Sequence, residues 1–234
     1  MTLTFYSHKD YSDIWPILFK QTDKYFDSSV KKVLFTNAGE VPAGWNVIYY
    51  DDTKSYQERF VFCLEQLDDE IILYHHEDMF LYNSPDIDYI KRLYWLITDK
   101  NYDFVKLIKT GVNQGFEVGD NLYEMSNIPD DYFAIQPTLW NRKKLIEVYK
   151  NAGGNSIWQF ELLAGQYCLD NNIKGIYCYD KINDNGRGRH FDSSIYPYIA
   201  TAVVKGKWNY REYENELKQI FNKNSYKPTR EILL

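Results

Sequence analysis

Basic residues are not in excess in this sequence. Lys and Arg total 27 against 33 Asp and Glu, a formal net charge of −6. Proteins that grip a phosphate backbone carry the opposite balance, which argues against nucleic acid as a partner and equally against a basic membrane-surface role. The cations are dispersed, apart from Lys205-Gly206-Lys207 and the Arg187/Arg189 pair. Cysteine is scarce: Cys63, Cys168 and Cys178 are three, an odd number without metal-like spacing, and read as buried thiols. No apolar run approaches membrane-spanning length, and the segment after Met1 turns polar within a few residues, unlike a secretory leader. A GxxxxGK[ST] loop is missing, which removes the P-loop NTPases. Internal repeats, low-complexity tracts and obvious linkers are missing too. The expectation from these absences is a cytoplasmic protein with no integral membrane segment.

What is present is aromatic. The chain of 234 residues contains 22 Tyr, 13 Phe and 6 Trp within a hydrophobic fraction of 44%. That composition is incompatible with disorder, and one large core can be buried at this length. Through the first half, strand-like runs (Leu3–Ser7, Lys32–Thr36, Trp45–Tyr50, Ile71–Tyr74 and Phe104–Ile108) alternate with helical patterns. Asp10 or Ser12 is expected to cap the first helix, Ser55 with Glu58 the second, and Asp86 the third. The implied class is α/β, a mainly parallel sheet flanked by helices. The second half is less regular. A small antiparallel excursion over Asn113–Asn127 is followed by an expected strand over Tyr132–Leu139, a short helix over Lys143–Tyr149 and a mostly buried helix over Ser156–Leu169. A strand over Ile173–Tyr179, a polar loop over Lys181–Phe191 and an amphipathic helix over Tyr210–Phe221 complete the reading.

The stretch Asp69–Tyr82 organises the rest. Its apolar run Ile71–Tyr74 predicts a central strand covered on both faces, and it stops abruptly in His75, His76, Glu77 and Asp78. Ionisable residues between apolar flanks need partners, and in open α/β sheets ligands bind at the carboxyl ends of strands. Glu77 and Asp78 together suit a hard divalent ion, Mn²⁺ or Mg²⁺, whose shell is completed by phosphate oxygens and water. Asp78 is then the direct ligand and Glu77 the support, although both could instead cap the following turn. His76 is a further candidate ligand, while His75 is read as structural.

Other candidates fall at neighbouring strand ends. Ser7 and His8 close the first strand. Asp51, Asp52, Tyr56 and Arg59 follow the third, where a carboxylate could accept from a nucleobase or ribose, Tyr56 could stack and Arg59 could reach a phosphate. Capping of the helix by Asp52 is the plainer alternative. Within Asn185-Gly186-Arg187-Gly188-Arg189-His190, the glycines allow close backbone approach and the arginines could neutralise a diphosphate, unless the segment is a simple surface turn. His190 is a candidate third metal ligand from the far half of the chain. Glu161 is the one charge between Ser156 and Leu169, with small residues Ala164, Gly165 and Cys168 beside it. A carboxylate so placed has a raised pKa and can serve as a base, or it pairs with a distant arginine.

Taken in order, these residues resemble a glycosyltransferase of the GT-A fold, closest to small viral and bacterial members with an acidic strand end and a Trp-x-Phe-Glu helix. Here that helix carries Trp158-Gln159-Phe160-Glu161. The resemblance spans nearly the whole chain and implies a Rossmann-like sheet and a single domain over 1–234. A nucleotide-sugar donor half would occupy 1–110, an acceptor half 111–209, and a C-terminal helix and tail 210–234. By the same likeness His76-Glu77-Asp78 stands where the family has Asp-x-Asp, with His76 replacing the first aspartate and Asp78 matching the last. Glu161 would be the base of an inverting enzyme and His190 the late histidine of the metal shell. The implied reaction moves a sugar from a nucleoside diphosphate sugar, a UDP-sugar favoured, to a hydroxyl of a glycan or other acceptor. A nucleotidyltransferase would show a longer, glycine-rich basic loop than Ser7-His8-Lys9-Asp10. A degenerate sheet domain that binds glycan or protein without turnover is the non-enzymatic alternative.

Overall fold

The computed structural model describes residues 1–99, 102–182, 186–187 and 189–234. Asn185 and Gly188 of the Gly/Arg turn lie outside the described residues. Four strands open the chain: β1 (Thr2–Tyr6), β2 (Lys31–Thr36), β3 (Trp45–Tyr49) and β4 (Ile71–His76). All pair in parallel, with β1 between β2 and β4. Next come β5 (Phe104–Lys106), the hairpin β6 (Glu117–Gly119) and β7 (Leu122–Glu124), then β8 (Thr138–Asn141) and β9 (Gly175–Cys178). Together they build one nine-stranded sheet in the order β3-β2-β1-β4-β8-β5-β9-β7-β6. β8 runs antiparallel to both neighbours, so β5 and β9 point the same way as β1–β4. The α/β class with a mainly parallel, Rossmann-like sheet and an antiparallel hairpin is therefore the observed one.

Helices cover both faces. α1 (Trp15–Tyr25), α2 (Tyr56–Glu65) and α3 (Ile87–Thr98) connect the early strands, and α4 (Pro129–Tyr132), α5 (Arg142–Asn151), α6 (Ile157–Asp170) and α7 (Tyr210–Asn224) follow. α2 packs on α5, α5 on α6 and α6 on α4, while α1 packs on α7. Alternation along β4 divides its side chains between the two layers. His75 stacks on Phe5 at 4.6 Å on the α1 side, whereas Tyr74 and His76 face Tyr56 and Tyr149 on the α2 and α5 side. A separate three-stranded sheet, β10 (Val203–Val204), β11 (Lys207–Asn209) and β12 (Ile232–Leu233), was not anticipated; its last strand returns the C-terminal tail to the body.

Local signals explain most of these elements. The Ser55/Glu58 capping box is closed in both directions, and Asp86 caps α3. Leu217, Ile220 and Phe221 form the buried stripe of α7, and all three cysteines are buried. Three expectations need correction. Neither Asp10 nor Ser12 caps α1, because a 3-10 turn over Lys9–Tyr11, capped by His8, intervenes. The strand expected over Tyr132–Leu139 is confined to Thr138–Asn141, since Pro137 cannot donate to a ladder. Finally, α6 is not mostly buried: Trp158 is 80% exposed, and Ile157, Leu162 and Leu163 also face outward. Only the stripe through Phe160, Ala164, Gly165 and Cys168 is enclosed. Gly165 lies so close to α4 that a Cβ there would meet the Pro129 carbonyl oxygen at 2.0 Å.

Candidate functional site

The strand order reverses direction at β1 and β4. In an open α/β sheet this switch point, outside the carboxyl ends of the strands, is where a ligand crevice forms. In this sheet that position falls between Ser7 with the 3-10 turn after β1 and Glu77 with Asp78 after β4. Two later segments run alongside the strand exits. Residues 197–202 pair with 78–82 through Tyr82 N to Pro197 O, Ile199 N to Phe80 O and Ala202 N to Asp78 O. Residues 189–191 pair with 109–111 through Gly111 N to Arg189 O and Phe191 N to Lys109 O. Gln136, just before β8, joins the two by donating to His190 Nε2 at 3.0 Å and to the Ala200 carbonyl at 3.4 Å. Next to it, Ile135 N donates to Glu161 Oε1 at 2.7 Å. The acids ending β4, the Gly/Arg turn and the lone glutamate of α6 therefore share one edge of the sheet.

Glu77 and Asp78 are the electrostatic centre of that edge. Glu77 is buried, and Asp78 is partly buried with Oδ2 accepting from Val203 N at 3.0 Å. Burial, and then the neighbouring Asp78 charge, pushes the Glu77 carboxyl well above its ordinary value. Burial raises Asp78 to about 6 against the pull of its backbone donors. Among the described residues neither makes an ion pair, so the two adjacent carboxylates have no bonded cation there. Oxygen-only donors of this kind fit a hard divalent ion. The histidines do not join them. His76 Nε2 meets the Tyr56 hydroxyl at 3.1 Å, inside a cluster completed by the Tyr74 and Tyr149 hydroxyls, and burial lowers its pKa to about 3. His190 is held by Gln136. Among the described residues no three His, Cys, Asp or Glu side chains converge, so the set Asp78, His76 and His190 is not assembled as a cage. The strand pleat sends His76 to the α2 face, opposite His75 and into the tyrosine cluster.

The remaining candidates have definite places. Ser7 is buried and its hydroxyl accepts from Trp15 Nε1 at 2.7 Å. His8 Nδ1 accepts from Asp10 N, leaving Nε2 to donate to Asp52 Oδ2 at 3.1 Å. Asp52 also pairs with Arg59 Nη1 at 2.8 Å, and Arg59 donates further to the Lys54 and Asp52 carbonyls. Asp51 accepts from Thr53 N and Oγ1, which lowers its pKa and fixes the turn before Ser55. His8, Asp52 and Arg59 thus form a linked rim beside the switch point, with Asp52 an ion-pair partner and Ser55 the helix cap. Arg187 is enclosed by Asp192 at 3.1 Å, Glu216 at 2.6 Å and the Glu212 carbonyl. Arg189 pairs with Asp130 and with Asp131, the latter at 2.7 Å. Both arginines are neutralised from within the chain.

Burial raises the Glu161 pKa, opposed by the Ile135 N–H and then by Lys106. Lys106 was not anticipated. It is 1% exposed, donates to Thr110 Oγ1 and to the Asp131 carbonyl at 2.8 Å, and burial lowers its pKa to about 7. Two open clefts, of about 580 and 550 Å³, lie off this edge: one between α2, α5 and Gly153-Gly154, the other beside Tyr102 and Gly175. Neither holds the paired acids or Glu161. Charge chemistry, and not volume, marks the candidate site.

Fold and site together define an α/β protein whose β4 strand end carries two adjacent, largely buried carboxylates. No protein-family model matches the sequence, and no curated protein matches it. Among solved structures it is similar to an active-site mutant of LgtC, at 16% identity and a TM-score of 0.45 over 76% of this chain and 72% of that one. It is also similar to CMP:2-keto-3-deoxy-manno-octonic acid synthetase complexed with CTP, at 11% identity and a TM-score of 0.43, covering 75% of this chain and 88% of that one. A third is the bifunctional IspDF from Campylobacter jejuni, at 12% identity and a TM-score of 0.42; 71% of this chain is covered but only 47% of IspDF. Among the described residues no helix is long and apolar enough to cross a membrane.

Proposed function

We propose that this chain transfers a sugar from a nucleoside diphosphate sugar, with UDP as the favoured nucleotide, to a hydroxyl of a glycan or other acceptor, inverting the anomeric carbon. The observation that carries this reading is the Glu77/Asp78 pair at the β1/β4 switch point, with raised pKa values and no bonded cation among the described residues. Such a pair is costly to keep unless a ligand supplies positive charge. Glu77 and Asp78 would hold Mn²⁺ or Mg²⁺, which when bound supplies a Lewis acid for the charge on the departing diphosphate.

The protein's own groups do the rest. Glu161, fixed through Oε1 by the Ile135 N–H, keeps Oε2 for the acceptor hydroxyl and takes its proton. The acceptor oxygen then bonds to the anomeric carbon while the sugar–phosphate bond breaks, its electron pair leaving with the diphosphate. The raised Glu161 pKa makes it a stronger base than an exposed glutamate. Lys106, close enough to oppose that rise, favours the ionised form of the carboxyl.

Calorimetry with UDP and GDP, with and without Mn²⁺, tests the reading on the purified chain. The expected result is nucleotide affinity that appears with Mn²⁺ and is lost with a chelator. Equal affinity in both conditions, or none in either, would remove the proposal.

A further inference from the structure

Arg187 and Arg189 are ion-paired to acids of their own neighbourhoods, and among the described residues neither is bonded to the β1–α1 connection that borders the switch point. A different arginine is there. After α7 the chain turns at Ser225, a left-handed residue with φ 51°, and passes back over the β1–α1 connection. Tyr226 anchors it through its hydroxyl to the Asp13 carbonyl at 3.1 Å, and β12 pairs with β11 beyond. Between these anchors lies Arg230, 14% exposed at its side chain.

A guanidinium has five N–H groups, and those of Arg230 can be accounted for singly. Nε donates to Asp13 Oδ2 at 2.7 Å, and Nη2 donates to Asp13 Oδ1 at 2.5 Å and to the Asp10 carbonyl at 3.1 Å. The plane stacks 4.6 Å above the Tyr11 ring. Three N–H groups are used; the two on Nη1 have no hydrogen-bond partner among the described residues. The charge lies near enough to Glu77 and Asp78 to hold both carboxyls lower than burial alone would, and the same two acids act on Tyr11. Strand pairing ties this tail to the acids, since β12 pairs with β11, β11 with β10, and Val203 of β10 donates to Asp78 Oδ2. A guanidinium fixed there through Nε, Nη2 and its face is preorganised for an anion that the acidic pair also recruits.

We propose that Arg230 is the donor-side arginine, its Nη1 edge binding a phosphate oxygen of the nucleoside diphosphate while Asp13 and Tyr11 hold the guanidinium in place. This rests on the nucleotide reading above and deepens it, because it assigns the C-terminal tail to the donor site.

The test is calorimetry in Mn²⁺ with UDP and with uridine, on the full chain, its Arg230→Gln variant and its Arg230→Lys variant. A charge-assisted phosphate contact corresponds to about a 10- to 100-fold change in affinity. UDP affinity is expected to fall by that factor in Arg230→Gln while uridine affinity stays unchanged, a distinction that a merely structural role would not make. Arg230→Lys keeps the charge without the fork and should fall between the two, which also decides the matter if Arg230→Gln does not fold. UDP binding by the parent with equal losses for UDP and uridine, or no loss, would overturn the Arg230 assignment alone. Absence of Mn²⁺-dependent UDP binding by the parent would overturn the nucleotide reading, and the assignment with it.

Discussion

Replacing Lys106 with methionine should make the protein more stable at pH 7 and less stable at pH 9.5. The unfolded chain leaves this amine near its ordinary pKa of 10.5, whereas burial in the fold lowers it to about 7. The unfolded state therefore binds the proton more tightly, and protonation favours unfolding. That penalty is complete below pH 7, shrinks as the pH rises toward 10.5, and is gone above it. By linkage it amounts to about 4 kcal/mol at pH 7 and about 1 kcal/mol at pH 9.5. Lys106→Met removes it, along with the hydrogen bonds to Thr110 and the Asp131 carbonyl, whose loss costs about 2 kcal/mol at either pH. The net expectation is a gain of about 2 kcal/mol at pH 7 and a loss of about 1 kcal/mol at pH 9.5. Urea unfolding of both proteins at the two pH values, followed by tryptophan fluorescence, reads this directly. Contributions from titrating groups that Lys106 does not influence cancel in the comparison. A stability difference identical at pH 7 and 9.5 would show that Lys106 keeps an ordinary pKa in the fold, and its influence on Glu161 would have to be abandoned.

Two further outcomes follow from the carboxylates. Glu161→Gln should lower transfer by about 10²- to 10⁴-fold, the usual worth of a positioned base, while leaving UDP affinity in Mn²⁺ unchanged; steady-state turnover at the parental rate would remove Glu161 from the mechanism. In metal-free protein, Glu77 and Asp78 have folded-state pKa values above their unfolded ones. Their ionisation therefore opposes folding above the folded-state pKa, and the opposition is relieved as the pH falls through about 6, the value of Asp78. The thermal midpoint of Glu77→Gln should accordingly exceed the parent's at pH 7.5, with the gap narrowing toward pH 5. A gap that stays constant would mean the pair is not electrostatically strained.

The first half of the fold was legible because its signals are local. Ser55 and Glu58 sit three apart, Ile71–Tyr74 is an uninterrupted apolar run, and Asp86 precedes a clean stripe, so each element declares its ends and faces within a turn or two. The Glu77/Asp78 pair was legible for the same reason: carboxylates directly after a two-sided strand have to emerge at its carboxyl end. What local pattern does not record is which way a pleated neighbour points. His76 precedes Glu77 by one residue, which in a strand is enough to send it to the opposite face and into the tyrosine hydroxyl cluster.

The second half was harder because its decisive contacts are distant in sequence. α6 is apolar around most of its circumference, so composition could not distinguish its packed stripe from the side carrying Trp158, and only contact with α4 and α5 does so. Lys106 lies in a three-residue strand and looks like any solvated lysine until Asp131 and Thr110 close over it. Arg187 and Arg189 looked available because Glu216 and Asp131 are 29 and 58 positions from their respective arginines. The same physics runs in the opposite direction for Arg230, whose ion pair with Asp13 spans 217 positions. An arginine's availability is settled by the acids that reach it, and sequence spacing ranks such acids only when they lie within a helical turn. A phosphate-binding role is therefore best argued from a guanidinium's place as well as its N–H count: among the described residues Arg187 and Arg230 each make three such bonds, but of the two it is Arg230 that is bonded to the β1–α1 connection beside the switch point.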